Sequence, residues 1–475
     1  MVFSDFKRWH LIGIKGAGMT ALAELLIGRG ARVTGSDTAE VFYTDAILKR
    51  LQVTVMTPFA PANLPTTAEV FVYSTAYTPE TNPELKAALE SGRPVLTYPE
   101  AIGALTQEKM TIAVCGTHGK TTTSALLADV LRAAGVDPSA VIGSEIRSWG
   151  GSALVGQGPY FVIEADEYQN KLALYQPLGA ILTSVDWDHP DYFPTVAAYE
   201  AVFADFLARI PRHGFAVIAG DQARAEFLSR DVAATRYTYG FLPTNMVRAV
   251  EYRVVPEAER MDGVLQEFSV EYHGERLGPY RLRLAGRHNV ENALAVIAVT
   301  LHLKLDRLAV QQGIAAFTGT KRRFEYLGER RGALVYDDYA HHPAEIQATL
   351  VAFRDLYPTR RLFVVFHPHT FSRTKALLEE FATSFELADG VVILDIYGSA
   401  REVQGGVSAR ELVDRINHYT PDKAAYAPDR AVLAAEIARD MQPNDVIITM
   451  GAGDVWQVAE TILAASKTNR KNKTL

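Results

Sequence analysis

Residues 111–123 read TIAVCGTHGKTTT, and the fold follows from how this stretch divides. TIAVC is a short unbroken apolar run, the pattern of a strand buried on both faces. A glycine turn interrupts it at Gly116-Thr117-His118-Gly119-Lys120-Thr121, and TTTSALLADVLRAAG then carries apolar residues at helical spacing. Glycines let main-chain amides approach phosphate oxygens, and the following helix N-terminus adds partial positive charge. The loop Gly116–Thr122 would therefore cradle a nucleotide triphosphate. Lys120 would neutralise its β/γ-phosphates and the Thr121 hydroxyl would ligate Mg2+. The spacing is a shortened G-T-x-G-K-T, since Val114 stands where the common phosphate loop has its first glycine.

Downstream, two apolar runs end in acids. In VIEADE (162–167) strand alternation predicts Glu164 and Asp166 on one face and Glu167 on the other. VDWDHPD (185–191) offers Asp186, Asp188, His189 and Asp191 in a similar place. Mg2+ prefers carboxylates, phosphate oxygens and water, so a carboxylate facing the loop is its natural second anchor. Upstream, HLIGIKGAGM (10–19) is another strand, glycine turn and helix start, and Asp37 follows 19 residues after Gly18. This approximates the dinucleotide fingerprint, but as G-x-x-G-x-G, which suits the diphosphate of any nucleotide, a UDP-sugar included. A purely structural turn is the alternative.

Strands alternating with helices predict parallel sheets with ligands at their C-terminal edges. With 475 residues and roughly 150 per domain, the chain divides into three α/β units. These are a Rossmann-like unit over 1–107, a phosphate-loop ATPase-like unit over 108–318 with a small antiparallel insertion over 235–285, and a second Rossmann-like unit over 319–475. A net charge of -7 and a pI near 6.0 argue against a nucleic-acid footprint. The basic stretch KTNRKNKTL (467–475) reads as a solvated tail. One cysteine, Cys115, fits a reducing compartment. No run of 18 apolar residues and no signal-peptide pattern occur. The expectation is a cytoplasmic protein without membrane insertion.

The segments HLIGIKGAGM with GSD (35–37), CGTHGKTTT, EADEY, DWDHPDYF, GRHNVENALA, KRRFEY, DDYAHHPAEI, HPHTFSRTK and DIYGSARE together resemble the Mur ligase superfamily over nearly the whole chain. DDYAHHPAEI and HPHTFSRTK look like its L-alanine-adding branch. The resemblance implies an ATP- and Mg2+-dependent ligase of peptidoglycan precursor synthesis. Such an enzyme joins L-alanine to UDP-N-acetylmuramate through an acyl-phosphate, as a monomer or weak homodimer. It further implies that Gly16, Ala17, Gly18, Met19, Asp37 and Ser74 hold the UDP-sugar, and that Asn289 and Asn292 contact adenine. Thr121 and Glu164 would share one Mg2+, and His189 would serve a second. Arg323 and Asp338 would reach the ATP site from the third unit. Tyr339, His341 and Arg373 would receive L-alanine, with His341 also placed among the catalytic groups.

One departure stands out. Several relatives carry a carbamylated lysine shortly after the segment matching DWDHPD, whereas this chain has no lysine between Lys171 and Lys304, and Phe203 falls near that position. Three rivals remain at this level. They are a recycling ligase that attaches a preformed tripeptide to the same UDP-sugar, a nicotinamide dehydrogenase built on the first unit, and a nucleotide-gated binding protein.

Overall fold

Three β-sheets follow one another along the chain in the computed structural model, which describes residues 6–256, 264–398 and 404–464. Residues 399–402 of DIYGSARE and the stretch 467–475 lie outside the described residues. The first sheet is built from β1 (Arg8–Ile12), β2 (Arg32–Ser36), β3 (Val55–Met56), β4 (Val70–Tyr73) and β5 (Val95–Thr97). Its order is β3-β2-β1-β4-β5, and every pairing is parallel. The glycine turn at 13–18 sits at the C-terminal edge of β1 and opens the helix Ala17–Gly28.

The second sheet comprises β6 (Met110–Cys115), β7 (Ser139–Ile146), β8 (Gly151–Leu154), β9 (Tyr160–Glu164), β10 (Gly179–Leu182), β11 (Phe215–Ala219), β12 (Thr235–Gly240), β13 (Val247–Pro256), β14 (Val264–Tyr272) and β15 (Glu275–Leu282). Its order is β15-β14-β13-β12-β11-β10-β6-β9-β7-β8. TIAVC is thus a central strand, buried from Thr111 to Cys115. The expected antiparallel insertion over 235–285 differs at its start. β12 pairs parallel with both β11 and β13, because the helix Ala223–Leu228 before it is a crossover that returns the chain in the same direction. β13 with β14 and β14 with β15 pair antiparallel, as expected, and extend the same sheet. The hairpin β7–β8, absent from the sequence reading, closes the other edge.

The third sheet contains β16 (Glu325–Arg330), β17 (Ala333–Asp338), β18 (Arg361–Phe366), β19 (Gly390–Ile393), β20 (Ala424–Tyr426) and β21 (Asp445–Met450), in the order β16-β17-β21-β18-β19-β20. Only β16 runs antiparallel to its neighbour.

The cores are not shared equally. One apolar cluster runs from Trp9, Leu22 and Leu25 of the first unit into Phe161, Tyr199 and Phe206 of the middle unit. At that seam Glu24 accepts hydrogen bonds from the main-chain N–H groups of Ser152 (2.6 Å) and Ala153 (3.2 Å) on β8. The third unit keeps its own clusters around Phe353 and Ile448 and around Val365 and Val458. It meets the middle unit through Trp187 and through ion pairs such as Lys321–Glu145 (2.8 Å) and Arg147–Glu325 (3.0 Å). Among the described residues no helix is long and apolar enough to cross a membrane.

Candidate active site

The phosphate loop leaves β6 at Gly116 (φ 127°) and enters the helix Lys120–Ala133 through Gly119 (φ 79°). Both conformations favour glycine, and space enforces the choice. A Cβ on Gly116 would lie 2.2 Å from Thr183 Oγ1, and one on Gly119 would lie 2.7 Å from Asn292 Oδ1. Lys120 Nζ donates to Gly116 O (2.5 Å), Thr117 O (3.2 Å) and Glu167 Oε2 (2.8 Å). Burial opposes its charge, but Glu167 and Asp166 hold its pKa above the ordinary lysine range. Tyr199 closes the circuit by donating to Glu167 Oε1 (3.0 Å) while its hydroxyl lies 2.8 Å from Thr117 Oγ1.

The Thr121 hydroxyl donates to Glu164 Oε1 (2.6 Å), and Glu164 Oε2 accepts from Gly143 N (2.7 Å). Sequence alternation turned Glu167 away from the loop, and the structure corrects this. β9 ends at Glu164, and the chain then folds into the 3-10 segment Tyr168–Leu174, so the two-residue period lapses. Glu167 comes back beneath Lys120, buried, and the ligating atoms of Asp166, Glu167 and His189 lie within 4.8 Å of one another. His189 holds a positive φ of 56°, a strained setting of the kind that collects at functional sites. Phe203 is fully buried against Tyr199, with ring centroids 5.2 Å apart.

Asn289 and Asn292 face the loop from the helix Arg287–His302. Asn292 accepts from Thr123 Oγ1 (3.0 Å) and donates to Asn289 Oδ1 (3.1 Å). Across from them a cleft is lined by His118, Thr121, Asn292, Arg323, Asp338 and Glu345, so residues of the middle and third units share one space. Asp338 accepts from Phe324 N (2.7 Å) and Ala340 N (2.8 Å), and burial raises its pKa to about 6. The Tyr339 ring lies under Arg322 and Arg323, at 5.1 and 5.2 Å. His341 Nδ1 is 3.1 Å from both Tyr339 O and Glu345 Oε2. Arg373, expected to receive an amino-acid carboxylate, has its fork filled by Asp188 of the middle unit.

In the first unit, the helix Ala17–Gly28 begins at Gly16 without a side-chain cap, so its leading N–H groups face the turn. Ser74 lies beside Gly13, where an added Cβ would come within 3.0 Å of its own Cβ. Asp37 is buried and accepts from Lys15 N (2.7 Å) and Thr38 N (2.7 Å), so it braces the glycine turn from within. Burial raises its pKa. The Met19 side chain packs into the core, leaving its main chain for the turn.

Three family models match in succession: Mur ligase family, catalytic domain, over residues 8–110; Mur ligase middle domain over 114–300; and Mur ligase, glutamate ligase domain, over 322–453. A UDP-N-acetylmuramate–L-alanine ligase of Desulfitobacterium hafniense (strain Y51) is 39% identical over 456 residues, covering 96% of this chain and 99% of that protein. The chain belongs to the Mur ligase family. Among solved structures, a UDP-N-acetylmuramate–alanine ligase from Thermotoga maritima superposes on this Mur ligase with a TM-score of 0.81. Its sequence identity is 25%, over 97% of this chain and 99% of that one. A murein peptide ligase from Psychrobacter arcticus, also 25% identical and with the same coverage, reaches 0.71.

Sequence reasoning missed two features that organise this Mur ligase site, the residue Glu345 and the pairing of Asp188 with Arg373. Glu345 stands in the first turn of the helix Pro343–Leu356, capped by His342. The pattern H-P-x-E was readable as a helix start, where a carboxylate is favoured, but nothing in it announced the partners. Asp188 lies 185 positions from Arg373, and no local signal joins them.

Proposed function

We propose that this Mur ligase joins L-alanine to UDP-N-acetylmuramate at the expense of ATP, through an acyl-phosphate, in peptidoglycan precursor synthesis. The observation that carries the reading is the cleft that sets Gly119 and Thr121 of the phosphate loop opposite Arg323 and Asp338 of the third unit. A carboxylate is a poor electrophile, so the lactyl carboxylate first attacks the γ-phosphorus and ADP departs. Two anions must meet for this, and the positive charges of Lys120 and Arg323 offset their repulsion. The α-amine of alanine, after losing a proton, attacks the acyl carbon, and collapse of the tetrahedral adduct expels phosphate. His341, whose Nδ1 lies 3.1 Å from Glu345 Oε2, would take the amine proton.

In this reading the unit 1–107 presents UDP-N-acetylmuramate through Gly16, Ala17, Gly18 and Ser74, with Asp37 bracing the turn. The unit 108–318 holds ATP, with Asn289 and Asn292 at the adenine, and the unit 319–475 brings L-alanine. An oxygen-rich donor set with one imidazole fits Mg2+, which keeps several waters. Thr121 and Glu164 would hold one ion, and His189 with Asp166 and Glu167 a second. Bound Mg2+ would neutralise phosphate oxygens. Cys115, fully buried with its thiol pKa pushed up to about 12 by burial, is consistent with a cytoplasmic setting and takes no part in the chemistry.

The test is ADP release with UDP-N-acetylmuramate and a panel of amino acids, with mass measurement of the product. L-Alanine should be incorporated. Incorporation of a preformed tripeptide but not of L-alanine would overturn the reading in favour of a recycling ligase.

A further inference from the structure

His118 belongs to the phosphate loop, but its side chain leaves the middle unit. Its main chain is fixed at home, with N donating to Ser184 Oγ (3.0 Å) and O accepting from Thr183 Oγ1. Its ring lies between two carboxylates. Nε2 is 3.2 Å from Asp186 Oδ2, and Nδ1 is 3.4 Å from Glu345 Oε1 in the third unit. The His342 ring tilts against it at 4.8 Å. Burial alone would lower its pKa, but Asp186 and Glu345 prevail and hold it at about 9, so an imidazolium occupies the seam at neutral pH.

Glu345 gathers more than this one cation. The same Oε1 is 3.4 Å from Arg323 Nη1, and Oε2 is 3.1 Å from both N and Nδ1 of His341. Burial would favour its protonated form, yet His341 and Arg323 keep its pKa well below the ordinary carboxylate range. A buried carboxylate with several charged partners is strongly directional, since losing any one leaves the rest mismatched. The helix start at Pro343 adds its own favourable dipole.

We propose that Glu345 is a positioning residue for ligation: it ties the third unit to the phosphate loop through His118, holds Arg323 at the nucleotide cleft and braces His341 beside it. The inference rests on the ligase reading given above. One carboxylate thereby makes closure of the third unit and assembly of the reacting groups a single event. When the third unit swings away, His118 keeps Asp186 and loses Glu345, and Arg323 and His341 leave together with it.

The test uses the full-length enzyme and the variants Glu345→Gln, His118→Gln and the double substitution. Thermal unfolding verifies that each folds. Glu345→Gln should lower kcat by on the order of 10²-fold, the scale set by small misplacements of reacting groups. Its affinity for a non-hydrolysable ATP analogue, measured by calorimetry, should fall less than about threefold, because Glu345 touches no loop amide. The double variant should lose little beyond the larger single loss, since both changes break one tie. Wild-type kcat in a folded Glu345→Gln, or single losses that multiply in the double variant, would overturn the proposal. Small-angle scattering supplies a readout independent of turnover. Glu345→Gln should enlarge the radius of gyration in the presence of the ATP analogue, and an unchanged radius would overturn the tie. If the wild type turned over no L-alanine, the ligase reading would fail while scattering still decided the tie.

Discussion

Arg373 of the third unit grips Asp188 of the middle unit through two parallel contacts, Nε to Oδ1 at 2.8 Å and Nη2 to Oδ2 at 3.1 Å, with both side chains buried. The guanidinium fork matches a carboxylate in this geometry, and it holds the Asp188 pKa well below the ordinary range against the effect of burial. Removing one partner strands the other charge. Arg373→Ala and Asp188→Asn are each expected to destabilise by about 3–5 kcal/mol, and the double variant by less than their sum. Urea unfolding of the four proteins checks this, and strict additivity would show that the pair is not coupled.

The charge on His118 gives a second expectation. Its pKa is about 9 in the folded protein against an ordinary 6.5, so the folded state holds this proton more tightly than the unfolded state does. The stabilisation is therefore complete below about pH 6.5, declines as pH rises, and is gone once pH passes about 9. Melting temperature measured from pH 6 to 10 should show this alkaline loss in the wild type and a flatter profile in His118→Gln. Parallel profiles would dismiss the assignment.

Lys120→Ala should abolish turnover and leave UDP-N-acetylmuramate binding largely intact, because the glycine turn of the first unit and the phosphate loop lie on different sheets. Calorimetry with the UDP-sugar decides the matter. An equal loss of sugar-nucleotide affinity would contradict the assignment of the two turns.

Asp37→Ala should raise the KM for UDP-N-acetylmuramate about tenfold or more, and leave the KM for ATP within twofold. The basis is indirect: its carboxylate fixes Lys15 N and Thr38 N, and loss of a buried charged hydrogen bond amounts to about 1.5–3 kcal/mol. An unaltered KM for the sugar nucleotide would confine Asp37 to a role in folding.

Activity should be insensitive to removal of CO2 and bicarbonate. The position nearest a carbamylated lysine in relatives is Phe203, which is fully buried against Tyr199, and no lysine occurs from there to Lys304. His189→Ala should raise the Mg2+ concentration required. Rates in degassed buffer with and without bicarbonate check the first half, and a clear rescue by bicarbonate would refute it.

Strands and turns were legible where a local rule was enough. TIAVC, the glycine turns and the helices behind them came directly from periodicity, because burial on both faces leaves an unbroken apolar run. So did Thr121 and Glu164, which meet at 2.6 Å. Glu167 was misplaced because alternation holds only while the chain stays extended, and β9 stops three residues earlier. β12 was assigned with its antiparallel neighbours because alternating polar strands look alike, whatever the direction of the connection that feeds them. The tie of Glu345 to His118 and the pairing of Asp188 with Arg373 could not be found from local pattern, since each joins two units and only the closed fold brings the partners within reach.

The uneven sharing of the cores has a mechanical consequence. The first and middle units are joined by a continuous apolar cluster with Glu24 at its margin, and apolar contacts are not weakened by added salt. The third unit is joined by charge as well as by small apolar patches at Trp187 and Ala285, and its peripheral ties Lys321–Glu145 and Arg147–Glu325 are open enough to solvent to be screened at physiological ionic strength, where the screening length is about 8 Å. Arg373–Asp188, sealed from water, is screened far less. Ionic strength thus acts on one joint and spares the other: two thirds of the chain behaves as a stator, and the last third as an arm whose outer fastenings slacken in salt while its inner pin holds.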